Sequence, residues 1–390
     1  MKITIAPDSF KGSRTSREAA ELIEKGARRV FPGAEYLRIP IADGGEGTVE
    51  ALVDGLSGTL RSVQCRDPLG RPVDAVYGTI GDKAVIEMAA ASGLTLIGKN
   101  ERDPRITSTY GTGELILAAL EAGCRDITIG IGGSATNDGG TGMAAALGFR
   151  FLDSGGRPLP PGGAALAKLA SIDSSGVHPG LRDARIHVAC DVDNPLLGEQ
   201  GASHIYGPQK GASFETACEL DAALARLADT AEAWKGREMR GIPGAGAAGG
   251  LGFGLIAFCD ARRRSGIDTV LDLVDFNERI SGSSLVITGE GKIDGQSLRG
   301  KVPVGVAARC RPAGIPVLAL VGSIGPDSRA VYEHGIDSIM NTIESPMTLE
   351  EAISRGDVSL TDAAERACRI IRIGMRIQAS PSLPQPGSPS

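Results

Sequence analysis

The stretch Gly130-Ile-Gly-Gly-Ser-Ala-Thr-Asn-Asp-Gly-Gly-Thr-Gly142 decides how this chain is read. It follows Asp126-Ile-Thr-Ile-Gly130, a short β-branched run with the pattern of a buried strand. It precedes Met143-Ala-Ala-Ala-Leu-Gly-Phe149, which reads as helix. Strand, glycine-rich turn and helix in that order form a good anion cradle. Glycine permits positive φ and close backbone approach, and the N–H groups at a helix start carry partial positive charge. Gly132 and Gly133 supply such backbone here. Ser134, Thr136, Asn137 and Asp138 add side chains able to hold a hydroxyl, a phosphate or a metal-bound water. One loop of this kind could equally be a tight turn capping a helix. Three further polar, glycine-rich stretches favour a site.

Working outward, the same order recurs. A strand over 2–6 runs into Pro7-Asp-Ser-Phe-Lys-Gly12, and Thr15-Ser-Arg-Glu18 is a capping-box pattern opening a helix over 18–30. A strand over 36–41 closes at Ala42-Asp-Gly-Gly-Glu-Gly47, before a helix over 48–56. This is parallel α/β order, in which ligands bind at the carboxyl ends of strands. Residues 60–65, 73–80 and 83–87 read as hairpin strands. Residues 113–122 and 213–234 read as helices, and 153–180 as Gly/Pro/Ser-rich surface loop. A strand over 185–190 leads into Asp191-Val-Asp-Asn-Pro. A glycine- and alanine-rich loop over 241–254, containing Gly246, leads into a helix over 255–263. A buried strand over 284–288 ends in Gly289-Glu-Gly-Lys-Ile-Asp-Gly-Gln296. Helices over 302–310 and 362–375 and strands over 316–321 and 336–341 complete the chain.

The expected fold class is therefore α/β. A Rossmann-like parallel sheet is formed by both chain ends (1–60 and 284–377), a second α/β domain is inserted (61–283), and 378–390 form a disordered tail. A length of 390 residues agrees with two domains, and 55 glycines against 4% aromatics agree with many tight βα turns. The net charge of −6 gives no support for nucleic-acid or anionic-membrane binding. Seven scattered cysteines, with no C-x-x-C pair, read as reduced buried thiols. With no signal-peptide pattern and no apolar run of spanning length, the expectation is a cytoplasmic protein without a membrane partner.

The acidic candidate site residues sit at strand ends. Asp8, Ser9 and Lys11 place a carboxylate, a hydroxyl and an ammonium on one loop, and Lys11 could neutralise a phosphate or a carboxylate. Asp43 and Glu46 could bind Mg²⁺, orient a hydroxyl, or simply cap a helix. Asp191, with Asp193 and Asn194, offers oxygen ligands suited to Mg²⁺. Glu290 and Asp294 form a third acidic pair, with Lys292 between them, and Gly207-Pro-Gln-Lys-Gly211 adds Lys210. Phosphate-binding glycines, Mg²⁺-type carboxylates and scattered lysines point to phosphoryl transfer, which needs positioning and charge neutralisation more than a covalent nucleophile. No Walker loop, protein-kinase H-R-D or D-F-G set, or G-x-S-x-G elbow is present.

Taken together, Ile5-Ala-Pro-Asp-Ser-Phe-Lys11, Ile41-Ala-Asp-Gly-Gly-Glu-Gly-Thr48, Tyr110-Gly-Thr-Gly-Glu-Leu115, Ile131-Gly-Gly-Ser-Ala-Thr-Asn-Asp-Gly-Gly140, Asp193-Asn-Pro-Leu196, Gly207-Pro-Gln-Lys-Gly211, Pro243-Gly-Ala-Gly-Ala-Ala-Gly-Gly250 and Gly289-Glu-Gly-Lys-Ile-Asp294 resemble the bacterial glycerate kinases of the first type. The resemblance runs in order from residue 2 to about 375. It implies two α/β domains with the active site in the cleft between them. It also implies ATP-dependent, Mg²⁺-requiring phosphorylation of D-glycerate, usually at the 2-hydroxyl. On that reading Lys11, Asp43, Asp191 and Asp294 are the catalytic candidates. Asp8, Ser9, Lys11, Asp43 and Glu46 face the substrate. Gly132, Gly133, Ser134, Thr136, Asn137, Asp138, Lys210, Gly246, Glu290 and Lys292 face the nucleotide, and Asp191 and Asp294 hold the metal. The expected partners are the two small molecules, with a homodimer allowed. Three alternatives stay open. One is a kinase giving 3-phosphoglycerate or acting on another hydroxy acid. Another is an inactive glycerate or nucleotide sensor. A dinucleotide oxidoreductase fits less well, because no G-x-G-x-x-G opens the first βαβ unit.

Overall fold

The computed structural model describes residues 1–10, 12–41, 49, 58–298 and 300–379. Lys11, Asp43, Glu46, the helix expected over 48–56 and the chain beyond 379 lie outside the described residues. The chain divides into two compact units, Met1–Asp43 with Leu271–Ser390, and Gly44–Val270. The sequence placed these divisions further along, at 60/61 and 283/284.

The first unit is built on a five-stranded, all-parallel sheet. Its order is Ser338–Asn341, Val317–Ile324, Leu285–Ile293, Lys2–Pro7 and Glu35–Arg38, so both chain ends do supply it. The strands Lys2–Pro7 and Leu285–Ile293 are buried without alternation over Ile3–Pro7 and Leu285–Glu290, as a sheet covered on both faces requires. The helix Ser16–Arg28 starts at the expected capping box, with Thr15 and Glu18 bonding each other's backbone. It buries Ala19, Ala20, Ile23 and Ala27 in a core shared with Leu360, Ala364 and Cys368 of the helix Gly356–Ala379. Gly26 makes that approach possible, because a Cβ there would lie 2.1 Å from the Thr361 carbonyl. The last helix starts earlier than the 362 read from sequence and covers the first two residues of the expected tail.

The second unit holds a six-stranded mixed sheet. Its order is Arg262–Arg264, Arg185–Ala189, Asp126–Gly130, Lys83–Glu87, Pro72–Ile80 and Thr59–Arg66. The first four strands are parallel, and the last two form the antiparallel hairpin expected. Two expectations are corrected here. The stretch 153–180 is not all loop, because Ser171–Asp173 pairs with Arg150–Leu152, and Leu166 and Leu169 anchor it in the core. Arg262–Arg264 is a strand, and the helix before it runs Ala247–Cys259, with Ala248, Gly249 and Gly250 in left-handed conformation near its start. No helix among the described residues is long and apolar enough to cross a membrane.

Candidate active site

In the second unit the deciding loop leaves Asp126–Gly130 at its carboxyl end. Gly132 and Gly133 are exposed. The chain then turns inward, burying Ser134, Thr136, Asn137 and Asp138. The Asp138 carboxylate accepts bonds from the backbone N–H groups of Thr109 (2.8 Å), Gly140 (3.1 Å) and Gly142 (3.2 Å), and from the Thr109 hydroxyl (2.9 Å). Burial pushes this carboxyl's pKa up, and those donors oppose the shift. Thr109 Oγ1 accepts in turn from the Met143 N–H at the start of the next helix. Lys210 is fully buried, and its Nζ donates to the Thr136 carbonyl at 2.6 Å. Loss of hydration pulls its pKa down to about 7, opposed by the charge of Asp138. Asn137 donates to Ser203 Oγ at 3.0 Å. Its Oδ1 and the Thr136 hydroxyl are buried with no hydrogen-bond partner among the described residues.

Glycine lets three loops meet backbone to backbone. Gly249 has φ +69°, and a Cβ there would fall 1.9 Å from the Thr136 carbonyl. One at Gly246 would fall 2.1 Å from the Pro195 carbonyl, and its N–H donates to Asn194 O at 3.0 Å. The segments around Thr136, Gly246 and Asn194 are therefore one assembly, with Lys210 beneath it. Asp191 is exposed on the same segment as Asn194 and accepts from the Gly266 N–H at 2.9 Å. Asp193 pairs with Arg263 at 2.7 Å.

In the first unit the acidic pair does not lie on a turn after residue 288, as expected. The strand continues to Ile293, so Glu290 and Lys292 are strand residues and Asp294 follows directly. Glu290 is buried, accepts from the Ser297 hydroxyl at 2.8 Å and pairs with Lys301 at 3.2 Å. Burial raises its pKa, and Lys301 opposes the rise. Asp294 pairs with Lys292 at 3.0 Å, and its N–H donates to Ser297 Oγ at 3.2 Å. On the neighbouring strand end Asp8 is buried. Its N–H reaches the Gly289 carbonyl at 2.8 Å, and its Oδ1 accepts from the Ser9 N–H at 2.6 Å. Asp8 and Ser9 thus stand beside the Glu290 strand. Asp191, Lys210, Gly246 and the 132–138 residues belong to the other unit.

Three residues of these networks were not singled out by the sequence reading: Thr109, Ser203 and Ser297. Ser297 had a local signal, standing three residues after an aspartate as a turn hydroxyl does. Thr109 had none, since it is 29 positions from Asp138.

The family profile described as "Glycerate kinase family" matches residues 3–372. The chain is 53% identical to a glycerate kinase of Halalkalibacterium halodurans, over 93% of this chain and 96% of that one. It is 48% identical to glycerate 2-kinase of Escherichia coli, over 96% and 99%. A crystal structure from Salmonella typhimurium assigned to glycerate kinase 2 superposes with a TM-score of 0.88 at 46% identity, covering 96% of this chain and 99% of that one. With a full-length profile match, relatives at half identity and the same α/β architecture, the chain belongs to the glycerate kinase family and is a kinase.

Proposed function

We propose that the protein transfers a phosphoryl group from ATP to the 2-hydroxyl of D-glycerate, giving 2-phosphoglycerate, with Mg²⁺. The observation carrying this reading is the near-complete match to a relative named for 2-kinase activity. The residues present fit the two absent groups. Gly132 and Gly133 expose backbone at a strand's carboxyl end, and open space lies where a Cβ on Gly132 would stand, as close approach of a phosphate requires. Asp191 and Asp294 offer carboxylate oxygens. Among the described residues no three His, Cys, Asp or Glu side chains converge, which suits an ion that takes one or two carboxylates plus phosphate and water oxygens. When bound, Mg²⁺ supplies charge neutralisation at the phosphate oxygens.

The chain's own residues do the rest. Gly132 and Gly133 receive phosphate, and Ser134 stands behind them. Asp138, Thr136, Asn137, Lys210 and Gly246 hold that loop in shape from inside. Asp191 and Asp294 are the carboxylates toward the metal, directly or through water. Glu290, held by Ser297 and Lys301, fixes the strand end from which Asp294 and Lys292 project. Lys11 pairs with the glycerate carboxylate or the transferred group, Ser9 and Asp43 orient the hydroxyls, and Asp43 takes the proton of the attacking one. Asp8 steadies the chain before Lys11, and Glu46 joins Asp43 in binding the substrate.

Proton-coupled phosphorus NMR of the product tests the reading. Phosphate on C2 couples to one proton and gives a doublet, and phosphate on C3 couples to two and gives a triplet. A doublet that appears only with glycerate and ATP supports the proposal. A triplet would make the enzyme a 3-kinase, and no glycerate-dependent product would make it a sensor.

A further inference from the structure

The second unit contains a cavity of about 470 Å³, within the range of small-molecule sites. It lies at the opposite end of the sheet from the glycine loop. Its wall includes Arg185, Ile186 and His187, the first residues of one parallel strand, and Arg262, the first of the next. The deciding loop follows the last residue of the adjacent strand, about 15 Å away along a five-residue strand. None of the residues given a role in phosphoryl transfer lines this cavity.

The wall has two chemistries. One part is aromatic: Phe149, Trp234 and Phe258 pack with centroids 5.3–6.2 Å apart, and Trp234 remains 37% exposed. The other is cationic. Arg182 and Arg262 are exposed and have no carboxylate partner among the described residues, and Arg185 has only a 3.5 Å contact to Asp126. Lys235 also lines the wall. Its partner Asp260, at 2.8 Å, is the one acidic side chain among the described residues lining the cavity. His187 is buried in the same wall. Its Nε2 is 3.5 Å from Asp126, and its Nδ1 has no hydrogen-bond partner among the described residues. The exposed Trp234 ring, backed by the buried Phe149 and Phe258, beside uncompensated guanidinium groups is matched by one kind of ligand. Its flat apolar body would cover the indole, and its anionic group would neutralise the arginines, which also stack on planar groups.

We propose that this cavity is a second ligand site, distinct from the transfer site, for a flat aromatic anion such as a ring-bearing carboxylate, sulfonate or phosphate. Anilinonaphthalene sulfonate has this chemistry, and Trp234, the chain's single tryptophan, lines the cavity as a built-in energy donor. Titration of the whole protein should show saturable one-to-one binding with quenching of Trp234 emission. The Arg182→Ala/Arg262→Ala double variant should bind roughly tenfold more weakly. Asp260→Asn, which removes the wall's negative charge, should bind more tightly. These three positions are exposed, so each variant should keep the wild-type melting midpoint. Excess glycerate, which has no ring, should leave the dye in place. Absence of saturable binding, unchanged affinity in both variants, or displacement of the dye by glycerate would overturn the proposal. Because the readout is dye binding rather than turnover, it stands or falls separately from the kinase reading.

Discussion

At the carboxyl end of Asp126–Gly130 the acidic residue of the motif is turned inward. Asp138 is buried, surrounded by backbone donors and the Thr109 hydroxyl, with Lys210 buried nearby. At the carboxyl end of Leu285–Ile293 the motif acids meet lysines that keep access to water. Lys301 and Lys292 are 35% and 56% exposed while they pair with Glu290 and Asp294. Both regions look alike in sequence, as polar residues among glycines after an apolar strand. The first uses its polar groups to fix a backbone, leaving Gly132 and Gly133 outside. The second buries its acids but keeps their lysine partners at the surface, where a ligand can reach them. A polar glycine-rich motif therefore marks a site without saying which of its side chains touch the ligand.

The comparison breaks most visibly if Asp294 is only structural. Asp294→Asn should lower turnover by roughly 10²–10³-fold and raise the Mg²⁺ needed for half-maximal rate. Asp294 is itself buried, but Asn keeps its shape and its Lys292 partner is 56% exposed, so the fold should lose only about 1–2 kcal/mol. Steady-state kinetics over a Mg²⁺ series, with urea unfolding of the same preparation, check both halves. Asp138→Ala should do the reverse. It strands the buried donors of Thr109, Gly140 and Gly142, and should cost about 3–5 kcal/mol in urea unfolding. An Asp138→Ala protein as stable as wild type but unable to bind ATP would return Asp138 to the list of direct contacts.

Much of this was legible because apolar runs bounded by glycine announce their own ends. Asp126–Gly130 and Lys83–Glu87 lie where the sequence puts them, and the Thr15–Glu18 capping box starts its helix. Partners distant in sequence were not legible. Glu290 and Lys292 read as a turn because charged residues rarely continue a buried strand. They do so here because Ser297 and Lys301 return to satisfy Glu290. The stretch 153–180 read as loop because its Gly, Pro and Ser outweigh its few apolar residues, yet Leu166 and Leu169 suffice to pin it. Lys210 read as facing the nucleotide, since only the fold shows it fully buried.

That burial yields a pH prediction. Burial lowers the folded-state pKa of Lys210 to about 7, from an ordinary lysine value of 10.5. Between those values the unfolded chain binds a proton that the native state does not, so this group's contribution makes stability rise with pH across that window. Below pH 7 both states are protonated and the unfavourable burial of the charge is fully felt. Lys210→Met should therefore gain most relative to wild type near pH 6 and least near pH 10. Buried cysteines whose pKa values are raised, such as Cys259 and Cys310, oppose the trend in absolute stability, so the wild-type-minus-variant difference is the quantity to plot. A flat difference curve from pH 6 to 10 would mean that Lys210 is hydrated in solution.

The finest test separates the two glycines that remain outside. Gly132 has ordinary negative-φ backbone and nothing within 4 Å of a built Cβ, so Gly132→Val should fold normally. Gly133 has φ +73° and would bring a Cβ to 3.3 Å from that of Ala89, so a β-branched residue there is strained. Gly133→Val should lose about 1–3 kcal/mol of stability whether or not the loop binds anything. Gly132→Val should lose nucleotide binding alone, because its side chain would fill the space proposed for phosphate. Thermal melting and ATP titration by calorimetry on the two variants give four numbers. If Gly132→Val binds ATP with wild-type affinity, the exposed turn is not the cradle. The inward-facing half of the loop would then have lost the ligand that explains its rigidity.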